Sequence, residues 1–226
     1  LGKMQEGRVL KEVVASLEAL GYEVYCHEYN SNAFVPQWRK RIFLVAFLGA
    51  RASDEPFEWP DLPEFTPRRT VASVLESRDE NRFLDLYQLT AAQWRSVQQA
   101  PSTKKHGLEG RLVRPASAEA DTLIRSYRAS RKGLAQFVKE DEHRPRWLSP
   151  REAARLMGFR DTFLPPPGLP AHEVCGNPVT PQVLPVVGAA LAGHSTKARR
   201  TRAPPVALPG SRRTRHHLHW PAPRGG

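Results

Sequence analysis

Apolar residues at Val9, Leu10, Val13, Val14, Leu17 and Leu20 return every three or four positions with charged residues between them, which predicts an amphipathic helix over residues 4–20. Gly21 follows, where a left-handed helix C-cap is expected. From residue 22 to 29 the pattern changes to an alternation rich in Tyr and Val, a strand signature closed by the polar turn Asn30-Ser-Asn32. Arg41-Ile-Phe-Leu-Val-Ala-Phe47 is an apolar run flanked by Arg and Gly and reads as a buried strand. Helix, strand, loop and strand form the edge of an α/β arrangement. Pro56, Pro60, Pro63 and Pro67 then interrupt regular structure, and short helical patterns resume over residues 71–76 and 81–97, so this stretch reads as an insertion. Residues 101–142 are polar and rich in Arg and Lys, with one strand-like run at 122–127, and predict a small irregular second domain. Ser149 is an N-cap candidate with Pro150 at the first helical position, Glu152 at the third and Ala153, Ala154, Leu156 and Met157 behind them, and Phe159 closes this short helix past Gly158. Residues 181–192 are apolar on nearly all sides and predict a helix or extended segment packed inside the body.

Composition narrows the choices. The 226 residues suffice for one full domain or for a large and a small one, but not for several independent cores. With 40% apolar and 25% charged residues, 15 glycines and 21 prolines, most of the chain is expected to fold. No run approaches the roughly 18–20 unbroken apolar residues of a membrane span, so a transmembrane protein is excluded. Two cysteines, Cys26 and Cys175, cannot build a disulfide framework or a four-thiolate zinc site. Leu1 opens the chain with neither a methionine nor an apolar signal segment, and the expectation is a fragment or processed product.

A net charge of +11 invites a nucleic-acid partner, because clustered Lys and Arg displace counterions from phosphates. The charge is unevenly placed. No acidic residue follows Glu173, whereas residues 195–226 carry Lys197, Arg199, Arg200, Arg202, Arg212, Arg213, Arg215 and Arg224. The body before them is close to neutral, so a basic groove there must be local. The tail also holds Pro204, Pro205, Pro209, Pro221 and Pro223 with few large apolar groups, and is expected to be disordered. His216, His217 and His219 lie in it without a cysteine or carboxylate nearby and read as part of a solvated basic tail; no metal site is expected.

Three segments carry candidate chemistry: Phe34-Val-Pro-Gln-Trp-Arg-Lys-Arg41, Arg146-Trp-Leu-Ser-Pro-Arg-Glu-Ala-Ala-Arg-Leu-Met-Gly-Phe159 and Gly176-Asn-Pro-Val-Thr-Pro181. In this order they resemble the Pro-Gln-x-Arg-x-Arg element, the Arg-x-Leu-Ser-Pro-Arg-Glu helix and the Gly-Asn-x-Val turn of the C-terminal half of DNA (cytosine-5) methyltransferases. The resemblance covers roughly residues 1–193, with a variable stretch where that family places its target-recognition domain. It implies an α/β fold, the distal part of a Rossmann-like methyltransferase sheet. Residues 1–51 would belong to the catalytic domain, 52–145 to the recognition domain, 146–194 to the return into the catalytic domain, and 195–226 to the tail. It implies S-adenosylmethionine as cofactor, double-stranded DNA as partner, and methyl transfer to carbon 5 of a flipped cytosine. A DNA substrate implies the nucleus or a bacterial cytoplasm.

An enzyme that attacks cytosine takes the base out of the duplex and holds its polar edge in a closed pocket, where guanidinium donors act more strongly than in water. Arg39 and Arg41 lie two apart, so at the start of a strand they point the same way and can form one donor cluster; solvated strand-edge arginines satisfy the same spacing. By resemblance, Arg41 would contact the cytosine carbonyl oxygen, Arg39 would brace the catalytic loop and Gln37 would fix the turn. Arg151 and Arg155 are i, i+4 on one helical face, and Glu152 lies where the helix dipole favours a carboxylate. The family uses this segment to support the recognition domain, and Arg151 and Arg155 are candidates for a phosphate contact or for helix packing alone. Asn177 and Val179 are the cofactor-side candidates, while Pro178 stands where Ala or Ser is commoner and removes a backbone donor. Phe34 and Arg160 also depart from the family pattern, which usually has Gly and Pro there. Thr122 and Leu123 resemble the Thr-Leu pair that the recognition domain presents to DNA.

The family reaction requires a thiolate from a Pro-Cys pair and a Phe-x-Gly-x-Gly cofactor loop. Cys26 follows Tyr25, Cys175 follows Val174, and both read as structural cysteines; Glu80-Asn81 continues into Arg-Phe, unlike the family's Glu-Asn-Val. Two readings follow. The chain is a fragment or subunit that supplies base pocket and recognition while an N-terminal half, of the same or another chain, supplies thiol and cofactor loop, this chain alone being inactive. Alternatively, it is a degenerate, noncatalytic DNA-binding module.

Overall fold

The computed structural model describes residues 7–48, 56–64, 69–129, 133, 135–140, 143–164 and 171–201, with the side chains of His106, Ala171 and residues 195–201 outside the description. Helix α1 (Arg8–Ala19) ends where Gly21 takes a φ of 84° and donates to the Glu18 carbonyl. Strands β1 (Tyr22–Asn30) and β2 (Lys40–Leu48) pair antiparallel, with Tyr22 opposite Leu48 and Asn30 opposite Lys40. Cross-strand partners share a face, so the register puts Tyr25, His27 and Tyr29 beside Val45, Phe43 and Arg41. Residues 57–62 cover that face: Trp59 stacks on His27, Phe57 meets Tyr25 edge-on and Phe47 at a tilt, and the Tyr29 hydroxyl donates to the Pro60 carbonyl at 2.5 Å.

Helix α6 (Val183–Thr201) closes this layer. Val183 and Val187, one turn apart, pack against Tyr29, Phe34 and Val35, whereas Leu184 and Leu191 are exposed. The expectation that 181–192 is packed inside the body therefore needs correction: one stripe is buried, because the strand face and the 57–62 segment cover only the i, i+4 row. The helix also runs seven residues past the boundary expected at 195; residues 202–226 of the predicted disordered tail, with His216, His217 and His219, lie outside the described residues.

A second, larger core gathers residues from 71 to 175. Val71, Val74, Leu89, Val97, Val113, Leu123, Phe137, Trp147, Leu156 and Met157 are among its buried members. Its elements are short, as the interrupted pattern predicts: α2 (Ala91–Gln98), α3 (Pro101–His106), β3 (Leu112–Val113) and β4 (Phe137–Val138), the last two paired parallel. Residues 122–127 do not form the expected strand. Leu123 and Tyr127 both enter the core, and between them the chain folds into a turn in which Tyr127 N–H donates to the Ile124 carbonyl instead of running extended. Helix α4 (Pro150–Leu156) starts with the predicted capping box: Glu152 N–H donates to Ser149 Oγ at 3.1 Å and Ser149 N–H to Glu152 Oε2 at 2.8 Å. Its apolar side, with α5 (Ala171–Gly176), packs into this same core, so no gap between cores falls at residue 146.

Gly158, just past α4, has a φ of 84°, and a Cβ there would run into the Gln182 side-chain amide. That amide is needed in place, since its Nε2 donates to the Gly158 carbonyl at 2.6 Å.

Candidate functional site

The connection from β1 to β2 folds back on itself. Asn30 Oδ1 accepts from the backbone N–H groups of Asn32 and Arg39, and Ser31 N–H donates to the Arg39 carbonyl, which pins both ends of the loop. Its outer arm, residues 36–39, lies parallel to residues 120–123. Ala120 N–H donates to the Pro36 carbonyl at 2.9 Å and Trp38 N–H to the Ala120 carbonyl at 2.8 Å. Thr122 Oγ1 donates to the Trp38 carbonyl at 2.6 Å, and Arg39 Nη1 to the Leu123 carbonyl at 2.8 Å.

Gln37 and Arg39 are both 0% exposed. Gln37 Nε2 donates to the Leu156 carbonyl at the end of α4, and its Oε1 has no hydrogen-bond partner among the described residues. Arg39 Nη2 reaches the carbonyls of Gly176 at 3.1 Å and Pro178 at 2.6 Å, so one guanidinium ties together the start of β2, the 120–123 segment and the Gly-Asn turn. Among the described residues no carboxylate neutralises it, and burial, with the nearby Arg41 charge as a lesser cause, pushes its pKa down to about 10. Arg41 differs. It is half-buried, its guanidinium makes one hydrogen bond among the described residues, to the Lys40 carbonyl at 2.7 Å, and burial lowers its pKa. Arg39 is a clamp, and Arg41 keeps free donors.

The Gly-Asn turn is shaped by close approach: a Cβ on Gly176 would overlap the backbone of Ile124 and Arg125. Asn177 is exposed, and its amide makes no hydrogen bond among the described residues; Val179 packs against the Tyr29–Val35 cluster. Thr180 is buried, and its Oγ1 has no partner among the described residues. Cys175, just before the turn, is buried, and desolvation pushes its thiol up to about 11, whereas Cys26 is exposed on β1. The Cys175 environment is that of a structural thiol.

The structure does not bring Arg151 and Arg155 into this cluster of carbonyls and guanidinium groups. Arg155 binds Asp161 with two contacts of 2.8 Å, and Arg151 shares the same carboxylate at 3.7 Å. Leu123 is a core residue, 3% exposed, which leaves the DNA contact proposed for the Thr122–Leu123 pair to Thr122. Sequence reasoning missed the partners of Arg146: its guanidinium forks onto Glu152 at 2.7 and 2.8 Å and onto Glu140 at 2.7 Å, with Glu152 fully buried. Glu76 N–H also donates to Glu152, so the charge pair knits residue 76 to the helix start. The Ser-Pro-Arg-Glu spacing signalled the cap, but nothing local pointed to Glu140 or Glu76. Among the described residues no cluster of His, Cys, Asp or Glu could hold a metal ion, and no helix is long and apolar enough to cross a membrane.

At this α/β edge the start of β2, residues 120–123 and the Gly-Asn turn thus converge on one arginine. Residues 1–192 match the family of C-5 cytosine-specific DNA methylases, and the chain belongs to it. The chain is 29% identical over 184 residues to the type II methyltransferase M.NlaX of Neisseria lactamica, covering 79% of this chain and 55% of that protein. It is 31% identical over 165 residues to M.DsaV of Dactylococcopsis salina, covering 71% and 45%. The chain thus spans about half the length of the curated relatives it matches. Among solved structures, the S. pombe Dnmt2 methyltransferase superposes with a TM-score of 0.60 at 18% identity, over 87% of this chain and 63% of that one. The Entamoeba histolytica methyltransferase EhMeth gives 0.61 at 16% identity, over 82% and 58%. These likenesses establish an α/β methyltransferase fold.

Proposed function

We propose that this chain forms the base-binding and DNA-recognition part of a DNA (cytosine-5-)-methyltransferase, which transfers a methyl group from S-adenosylmethionine to carbon 5 of an extruded cytosine. The observation that carries this reading is the Arg39 clamp, which holds the Gln-Trp-Arg-Lys-Arg segment, the Thr122 segment and the Gly-Asn turn in fixed relation. Arg41, with donors to spare in a half-buried setting, takes the cytosine carbonyl oxygen and stabilises charge building on the ring when a thiolate adds at carbon 6. That thiolate comes from polypeptide beyond the two cysteines here, and the exposed Leu20, Leu48 and Leu184 offer that polypeptide an apolar surface. Gln37 holds the turn onto α4. The free Asn177 amide, the unpartnered Thr180 hydroxyl and the apolar Val179 fit one wall of a cofactor site. When bound, the cofactor supplies an electrophilic methyl group. Thr122 faces double-stranded DNA, with Arg151 and Arg155 reaching phosphate only by exchanging Asp161.

The test is to mix the chain with a family N-terminal half bearing Pro-Cys and Phe-x-Gly-x-Gly and to measure methyl transfer to DNA. Transfer that falls at least about 100-fold in Arg41→Ala supports the reading, since single donors of this kind are worth that much. DNA binding without transfer points instead to a noncatalytic module.

A further inference from the structure

Within residues 36–41 the side chains separate sharply: Pro36, Gln37 and Arg39 are buried, while Trp38 and Lys40 are exposed, Trp38 at 50%. A large indole left in solvent is unusual inside a segment this ordered. Its backbone is held on both sides, the N–H by the Ala120 carbonyl and the carbonyl by the Thr122 hydroxyl. With Gln37 and Arg39 committed inward, the alternation of the chain fixes the ring outward. Lys40 Nζ lies 5.6 Å from the ring centroid while also pairing with Glu28 at 2.7 Å. A rigid aromatic surface with a cation over the ring, its backbone bonded to Thr122, has the composition that receives unstacked bases.

We propose that Trp38 contacts DNA beside the base pocket, its indole stacking on a base at the step opened when the cytosine leaves the duplex. The inference rests on the reading of this chain as a DNA-acting protein. Stacking tolerates any base, so Trp38 adds affinity for the opened step without reading sequence. The cation over the ring, the neighbouring Thr122 and the membership of the chain in a DNA methylase family favour DNA as the occupant.

The test uses the 226-residue chain and two labelled duplexes of one sequence, one fully paired and one with a single cytosine opposite an abasic site. Trp38→Ala is expected to weaken binding to the opened duplex about tenfold, and to the paired duplex less, the range seen when a stacking aromatic is removed. Its thermal melt should match that of the parent, because the ring is outside the core. Trp38→Phe is expected to keep affinity within about threefold and to abolish most of the DNA-induced quenching of indole emission. Unchanged affinity of Trp38→Ala for both duplexes, as when another polypeptide covers the ring, overturns the proposal and leaves the DNA reading standing; so does an equal loss on both. Failure of the parent chain to bind either duplex overturns the DNA reading itself.

Discussion

The two cores of this chain differ in how completely they close. The cluster spanning residues 71–175 buries side chains from α2, β3, β4, α4 and α5, and a charge pair is held inside it, with Arg146 forked onto Glu152 and Glu140. The cluster under the β1–β2 hairpin has Tyr29, Phe34, Val35, Val183 and Val187 as its buried members. Helix α1 has no buried residue despite its regular apolar stripe, and Leu20, Leu48, Leu184 and Leu191 stand exposed around it. Patterning for burial without burial leaves this layer with exposed apolar surface. The irregular region is thus the self-sufficient one, while the region with long regular elements is open. Regularity of secondary structure and completeness of a core are separate properties.

That contrast can be broken first at its closed end. Glu152→Ala leaves Arg146 buried without its principal partner and is expected to destabilise the chain by about 3–5 kcal/mol, read by urea denaturation. Loss below about 1 kcal/mol would mean that the pair is solvated and the core is not closed. Gly158→Ala places a side chain in the left-handed region against Gln182 and should cost about 1–2 kcal/mol in the same assay.

His172 gives a pH-dependent handle on the same core. Its Nε2 lies 2.7 Å from the Leu148 carbonyl, and burial lowers its pKa below the ordinary 6.5. The unfolded chain therefore takes up a proton first as pH falls below about 6.5, and the His172 contribution to stability is lost as pH drops through the depressed folded value. Denaturation midpoints should fall across that window, and His172→Phe should flatten the slope. The smallest effect belongs to the open layer: Leu184→Ser should change stability by less than about 0.5 kcal/mol. A larger loss would show that α6 is packed on both sides.

Much of the local structure was readable because its causes are local. The helix before Gly21, the alternation over 22–29 and the Ser149–Glu152 cap each depend on residues within one or two turns, and each element formed with boundaries a few residues from those expected. Residues 122–127 failed the same test, because Leu123 and Tyr127 answer to a core assembled from distant segments. Within the candidate site, the arginine spacing in Gln-Trp-Arg-Lys-Arg was visible, but the difference between Arg39 and Arg41 was not. It arises from carbonyls at Leu123, Gly176 and Pro178, more than 80 residues downstream.

The sequence by itself determined the periodicities, the caps, the family motifs and the concentration of positive charge after residue 194. Tertiary structure alone decided which arginine is a clamp and which keeps free donors, which cations are already neutralised by Asp161, and why Gly176 admits no side chain. The physical reason is range: hydrogen bonding within a turn depends on neighbours along the chain, whereas desolvation and close approach depend on whatever the fold brings alongside.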